Sequence, residues 1–272
     1  MSMPASALLA DAAFEVIPLK GIIEKARLLP VGATVTVTAS PAKGMDPTID
    51  LALELAEAGY RTVPHLSARM IRDRTQLAGI VKRLADGGVE RVFVIGGDAQ
   101  EPGDFLDALS LIRELNDLGH SFHELGVAGY PEGHPTISTD KLRAALIEKQ
   151  MHATYVATQM CFKGRVIADW VRSIRADGVA LPVRVGIPGV VDPTKLLTIA
   201  ARIGVGGSMR FMAKNRRAVF RLLRPGVYRP DRLIRSLTNQ GDGLGLVGLH
   251  VFTFNQVGPT VDWYHRALKA AR

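Results

Sequence analysis

The chain has 272 residues, a formal net charge of +8 at pH 7 and a sequence pI near 9.8. Hydrophobic residues account for 47% of it and charged residues for 22%, a balance that excludes a disordered or collagen-like chain. The single cysteine, Cys161, excludes a disulfide framework and a cysteine-based zinc site.

The sequence carries no signal for a membrane or for export. Residues 1–18 include Asp11 and lack a basic leader, so we expect no secretory signal peptide. No run of about 18 apolar residues predicts a membrane span. We therefore expect a cytoplasmic protein without a membrane partner.

Basic residues are concentrated late in the chain, between residues 214 and 235. A basic surface is compatible with nucleic acid, with a polyanionic small molecule or with a plain solvated face. Aromatic residues make up 6% of the sequence and do not alternate with the basic ones. Because binding of single strands relies on aromatic stacking, we expect no nucleic-acid partner.

Short β-rich runs alternate with longer helical patterns along the chain. The predicted strands cover residues 14–17, 34–39, 61–66, 91–95, 125–130, 155–162, 183–187 and 245–254. The predicted helices cover residues 49–58, 74–85, 104–118, 140–151, 166–176, 194–203 and 261–270. Residues 206–243 predict further helices without a strand between them.

The strand count and the alternation predict a (β/α)8 TIM barrel with extra helices before the last strand. An open doubly wound sheet is the alternative, but no glycine-rich dinucleotide fingerprint follows the first strand. No stretch resembles an interdomain linker, so we expect residues 1–272 to form one catalytic barrel domain.

Active sites of such barrels lie at the C-terminal ends of the strands. Glu15 lies between Phe14 and Val16 in the first strand, where partial burial favours the protonated carboxyl and suits a general acid. The alternatives are an outward-facing strand residue and a salt bridge in the barrel floor.

Two further polar residues fall at strand ends. Asp98 follows Gly96 and Gly97, which allow a ligand to approach the backbone closely; the alternative is a turn or helix-capping aspartate. Gln159 is predicted inside an apolar strand, where a neutral amide can bind a heterocycle edge or satisfy backbone groups.

Residues 130–135, Tyr-Pro-Glu-Gly-His-Pro, form the most unusual segment, stiffened by two prolines. It presents Tyr130 and His134 after the fifth strand, or it is a rigid turn without a catalytic role. One histidine and one glutamate do not make a metal site, so we expect no metal. His65, at the end of the third strand, is by itself more typical of a structural histidine.

The ordered set of these motifs resembles the methylenetetrahydrofolate reductase family. The motifs are Phe14-Glu15-x-x-Pro18, Pro64-His65-Leu66, Gly97-Asp98, Tyr130-Pro131-Glu132-x-His134-Pro135, Thr158-Gln159 and Phe252-Thr253-Phe254-Asn255. The resemblance implies an eight-stranded barrel that reduces 5,10-methylenetetrahydrofolate to 5-methyltetrahydrofolate with NADH or NADPH, usually through FAD. It also implies a place in one-carbon metabolism and methionine biosynthesis.

Carried over by position, the resemblance makes Glu15 the general acid that opens the five-membered ring. It implies that Asp98 stabilises the cationic iminium and that Gln159 contacts the folate and the nicotinamide in turn. The residues matched to flavin-lining positions are Thr38, His65, Gly97, Asp98, Tyr130, His134 and Lys149.

Departures from the family pattern fall mainly on the flavin side. Gly96 stands where flavin-binding members commonly carry arginine. Residues 39–44 replace the usual tyrosine- and glycine-rich turn, and Met160-Cys161-Phe162 stand where an aromatic run is usual. We therefore hypothesise weak or absent FAD binding, with hydride passing directly from nicotinamide to folate. Another folate one-carbon barrel enzyme and a catalytically idle folate- or flavin-binding homologue are the alternatives. The basic residues 214–235 suit the polyglutamate tail of folate.

Overall fold

The computed structural model describes residues 4–190, 230–240 and 243–271 and contains a closed barrel of eight parallel strands. Each strand pairs with the next, and the last pairs with the first. In chain order, β1 to β8 are Ala12–Val16, Thr34–Val37, Arg61–Ser67, Arg91–Ile95, Glu124–Gly129, Tyr155–Thr158, Val183–Pro188 and Leu246–Phe252. The predicted TIM barrel is confirmed.

Helices pack around the barrel and connect its parallel strands. The described helices α1 to α9 are Ala5–Ala10, Ile22–Ala26, Asp46–Glu57, Arg74–Asp86, Ala108–Leu118, Thr139–Lys149, Gly164–Ala176, Pro230–Thr238 and Val257–Ala270. Of the extra helices predicted before the last strand, α8 is described. The predicted helix 194–203 and the basic residues 214–229 lie outside the described residues. No helix in the described ranges is both long and apolar enough to cross a lipid bilayer.

Several predicted element ends were wrong, for local reasons. The helix predicted from residue 104 begins at Ala108, because the side chain of Asp107 accepts a hydrogen bond from the backbone N–H of Ser110 and caps it. The strand predicted for 155–162 ends at Thr158. The short helices α1 and α2 were not predicted; each spans less than two turns, too short for a helical period to stand out.

Alternation along β1 decides which side chains enter the barrel. Phe14 faces outward, and its buried ring meets Tyr264 of α9 edge-on at a centroid distance of 5.1 Å. Glu15 therefore points into the barrel interior. A shift of the pairing by one residue would bury the carboxyl under α9 instead, so the apolar contact of Phe14 fixes the position of the acid.

Side chains fill the half of the barrel at the N-terminal ends of the strands, which we call the floor. Arg184 is paired with Asp11 at 2.8 Å and lies over the ring of Tyr155. Above this layer, Tyr155 packs with Phe93 at a ring distance of 6.1 Å. Gly126 of β5 faces these two rings. Because it has no side chain, both rings fit inside the barrel. The floor is thus closed, and the site must lie at the C-terminal end of the strands.

Gly126→Ala should destabilise the barrel. A Cβ at Gly126 would collide with the Tyr155 ring and lie 2.6 Å from Cδ2 of Phe93. Overpacking of this kind costs about 1–3 kcal/mol, measurable as a lower free energy of unfolding in urea. The control is Gly79→Ala in α4, where a Cβ would meet nothing within 4 Å and should stabilise the helix. Equal stability of the Gly126→Ala variant and the wild type would contradict this packing.

Candidate active site

The centre of the site is Glu15, near the C-terminal end of β1. Its side chain is 14% exposed, and its Oε2 lies 3.0 Å from Nε2 of His250 on β8. His250 is itself buried. The alternative of an outward-facing Glu15 is wrong, and so is the floor salt bridge, because Arg184 and Arg91 pair with Asp11 and Glu124 there.

The chain leaving β8 fixes the backbone around Glu15. The hydroxyl of Thr253 donates to the carbonyl of Glu15 at 2.6 Å. The side-chain amide of Asn255 donates to the carbonyl of Ile17 and accepts from its N–H, at 2.9 and 2.8 Å. Phe254 and Asn255 adopt left-handed φ values of 49° and 57°, an unfavourable conformation for an aromatic residue. The side-chain contacts of Asn255 offset that strain.

His65 of β3 lies beside this pair. Its ring centroid is 4.8 Å from Phe93 and 6.0 Å from His250. Burial lowers the pKa of His65 to about 4; Glu15 opposes that shift and His250 adds to it. The imidazole is therefore neutral near pH 7, and its Nε2 has no hydrogen-bond partner in the described structure.

These three side chains also bring potential metal donors together. One donor atom each from Glu15, His65 and His250 lies within 4.8 Å of the others. Two of these three residues, Glu15 and His250, already hydrogen-bond to each other. The arrangement thus has a role that requires no ion, and the expectation of no metal stays a prediction.

The turn after β4 carries the predicted Gly97 and Asp98. Gly97 has φ +83°, and a Cβ there would collide with the hydroxyl of Ser67 beneath it, so only glycine fits. Arg69 holds the far side of the turn by donating to the carbonyl of Ala99 at 2.8 Å. Asp98 is exposed and does not cap a helix, since α5 begins only after Asp107.

Tyr130 and His134 lie together after β5. Their rings meet edge-on at 5.3 Å, and Nδ1 of His134 accepts the backbone N–H of Thr136 at 3.3 Å. Burial raises the pKa of Tyr130 to about 12, and the carboxylate of Asp98 adds to the shift. Tyr130 is therefore a neutral hydroxyl within the electrostatic reach of Asp98.

Thr38 and Gln159 follow the ends of β2 and β6. The backbone N–H of Thr38 donates to Val16 at 3.0 Å and extends the strand pairing. Gln159 was predicted inside a strand, but the strand ends one residue earlier and the amide is exposed. Its Oε1 accepts the N–H of Met160 at 2.7 Å, which leaves the amide N–H2 for a ligand.

Lys149 does not join the other predicted residues. It is the last residue of α6, in the helical ring outside the barrel wall. Burial lowers the pKa of Lys149, and Asp107 at the start of α5 opposes that shift. Its side chain is thus buried in the helical ring, whereas Glu15 and His65 share the barrel interior.

Sequence reasoning missed His250, the closest partner of the predicted acid. It lies in an apolar run, where a single histidine carries little signal. The one available signal was the spacing of two residues between His250 and Phe252, which puts both side chains on the same face of β8. In the structure their ring centroids are 4.8 Å apart. Asn255 belongs to the last motif of the family resemblance, but its contacts with Ile17 depend on closure of the barrel.

A closed barrel of eight parallel strands connected by helices defines the class of TIM-barrel proteins. Within that class, the sequence model of the methylenetetrahydrofolate reductase family matches residues 19–206. The chain belongs to this family.

Curated relatives carry the same family name at low identity. Methylenetetrahydrofolate reductase 1 of Schizosaccharomyces pombe is 27% identical over 178 residues, which cover 62% of this chain and 28% of that protein. Methylenetetrahydrofolate reductase (NADH) 1 of Arabidopsis thaliana is 25% identical over 168 residues, covering 53% and 28%. The probable methylenetetrahydrofolate reductase (NADPH) of Caenorhabditis elegans is 29% identical over 112 residues, covering 38% and 16%. The matches thus span less than a third of each relative.

Solved structures match over nearly the whole chain but at low identity. A 2,3-dimethylmalate lyase of the PEP mutase/isocitrate lyase superfamily has a TM-score of 0.53 at 10% identity, covering 99% of this chain and 88% of that one. A putative lyase/mutase from Burkholderia cenocepacia J2315 has a TM-score of 0.51 at 16% identity, covering 98% and 84%. These likenesses establish the barrel fold alone.

His65 should make the stability of the protein depend on pH. Its folded pKa of about 4 lies below its ordinary value of 6.5, so the unfolded chain binds the proton first. The stability is complete above pH 6.5 and falls by up to about 1.4 kcal/mol per unit as the pH drops toward 4.

Unfolding in urea at several pH values checks this expectation. His65→Gln should flatten the pH dependence in that window. The control is His123→Gln, at an exposed histidine paired with Glu90, and its curve should parallel that of the wild type. A wild-type slope that His65→Gln leaves unchanged would contradict the burial of a neutral imidazole.

Proposed function

We propose that this protein reduces 5,10-methylenetetrahydrofolate to 5-methyltetrahydrofolate with NADH or NADPH. The observation that carries the proposal is the position of Glu15: a largely buried carboxyl, bonded to His250, at the end of the barrel where substrates bind. Membership of the reductase family supplies the substrate class.

The acid acts first. Glu15 donates a proton to N10 of the folate, and the bond between N10 and the methylene carbon breaks, leaving a cationic iminium at N5. The dihydronicotinamide then transfers a hydride to that carbon, giving the methyl group and the oxidised nicotinamide. The barrel contributes by holding the two reactants in contact and excluding water.

Asp98 suits the cationic intermediate. It lies on the turn after β4, which Gly97 and Arg69 hold in place, and its charge reaches Tyr130 across the strand ends. A fixed carboxylate stabilises a positive charge that develops nearby. Gln159, with a free amide N–H2 beyond β6, is suited to the polar edge of the folate or the nicotinamide.

Two of the seven residues matched to flavin-lining positions, His65 and Lys149, fit that role poorly. His65 is 4% exposed and packs against Phe93, so a ligand at the barrel mouth does not reach it. Lys149 lies in the outer helical ring. Together with Gly96 in place of the arginine common in flavin-binding members, these positions favour a site without FAD. We therefore route the hydride directly from nicotinamide to folate.

Glu15→Gln should abolish reduction while leaving folate binding largely intact. Loss of the transferable proton should lower kcat by about 100- to 10,000-fold, followed as oxidation of NADH in the presence of methylenetetrahydrofolate. The control is Glu124→Gln, which alters a glutamate at the opposite end of the same barrel, paired there with Arg91. If Glu15→Gln retains full activity, Glu15 is not the acid.

The purified protein should be active without a flavin. We expect no visible flavin absorbance, and NADH oxidation with methylenetetrahydrofolate that added FAD does not increase. A stoichiometric yellow chromophore required for turnover would refute direct transfer. Tight folate binding without turnover by the wild type would instead identify an idle homologue of the family.

A further inference from the structure

We propose that His250 is a positioning residue, which donates its Nε2–H to Oε2 of Glu15 and thereby keeps the transferable proton on Oε1. This inference rests on the proposed function, because it concerns the proton that Glu15 delivers. It assigns a role to a side chain that the sequence motifs did not single out.

The geometry separates the two carboxyl oxygens. Nε2 of His250 lies 3.0 Å from Oε2, which is a hydrogen-bond distance, so this oxygen is engaged inside the barrel. His250 is the register partner of Ala13, two residues before Glu15 on β1, and is 3% exposed against 14% for Glu15, so the histidine lies on the inner side of the carboxyl. Oε1 is therefore the oxygen that remains for a substrate.

The surroundings fix the imidazole plane. The ring of His250 lies 4.8 Å from Phe252 and 6.1 Å from Phe93, and Gly186 is its register partner on β7. The titratable groups against it are Glu15 on β1 and His65 on β3. His65 is neutral, so it does not compete as a cation for the carboxyl.

The tautomer of His250 decides whether the acid can act. With the hydrogen on Nε2, the imidazole donates to Oε2 and a protonated Glu15 carries its own hydrogen on Oε1. With the hydrogen on Nδ1, Nε2 can only accept, which places the carboxyl hydrogen on Oε2 and out of reach of the folate.

The same contact also favours the transfer itself. The proton moves from Oε1 to N10, and the electron pair of the broken O–H bond stays on Glu15. The resulting carboxylate then accepts a charge-assisted hydrogen bond from Nε2–H, which is stronger than the bond to the neutral acid. His250 thus stabilises the product of proton donation more than the starting state.

Two substitutions of His250 distinguish the effect of its hydrogen-bond donor from the effect of its side-chain packing. His250→Leu removes the hydrogen bond and should lower kcat by about 10- to 100-fold, with the KM for folate changed less than about twofold. His250→Gln keeps an N–H donor at the end of its side chain and should recover most of the lost kcat. The matched control is His123→Leu, which breaks a surface histidine–glutamate pair with Glu90.

Circular dichroism of each variant establishes that it is folded. Equal kcat in His250→Leu and the wild type would overturn the inference while leaving the proposed function intact. Equal losses in His250→Leu and His250→Gln would also overturn it, because packing rather than donation would then explain the effect.

A measurement on the free protein does not depend on turnover. Nitrogen-15 NMR of labelled histidine should find His250 as the Nε2–H tautomer, with a signal that shifts in Glu15→Gln. The Nδ1–H tautomer would overturn the inference even in an active enzyme. An inactive wild type with the Nε2–H tautomer would refute the proposed function alone.

The rival role for the cluster is metal binding. Titration of the purified wild type with Zn²⁺, and assay after treatment with a chelator, tests it directly. We expect full activity after chelation and no stoichiometric Zn²⁺ site. A tight site lost in His65→Asn, together with activity that needs the ion, would replace the positioning role by metal ligation.

Discussion

The hydrogen bond between Glu15 and His250 depends on closure of the barrel, and the candidate site depends on that bond. The two residues are 235 positions apart in the sequence and become neighbours only because β8 pairs with β1. Thr253 and Asn255 reinforce this seam from the strand end, at the cost of left-handed backbone at residues 254 and 255. Backbone strain of this kind is retained where the surrounding contacts outweigh it.

Buried polar groups near the two ends of the barrel differ in whether they have hydrogen-bond or ion-pair partners. In the floor, the charges of Arg184 and Asp11 are paired and satisfied. Toward the mouth, Thr36 Oγ1, His65 Nε2 and Ser67 Oγ are buried without hydrogen-bond partners in the described structure. Such groups reduce stability unless something satisfies them. Thr36 and His65 lie beside Glu15, where a buried water would complete their contacts without a substrate reaching either side chain.

Whether this barrel can hold a flavin depends more on the accessibility of the matched side chains than on their residue types. His65 and Lys149 match the family pattern in sequence, yet His65 is buried beneath the mouth and Lys149 is buried at the end of α6. A side chain of the right type contributes to a cofactor site only if its polar atoms reach the ligand. The acid at β1, the turn carrying Asp98 and the amide of Gln159 lie at the strand ends, where the proposed reduction of folate requires them.

The sequence by itself determined the eight strands, the barrel and the ends of β4, because alternating apolar runs and helical periods are local signals. It also placed Glu15, Asp98 and Tyr130 near the ends of predicted strands, because each follows or ends an apolar run in the sequence. Only the tertiary structure decided that His250 meets Glu15, that Gln159 lies beyond its strand and that Lys149 lies outside the wall. Those facts follow from strand register, ring closure and side-chain burial, which join residues far apart in the chain and leave no periodic trace in it.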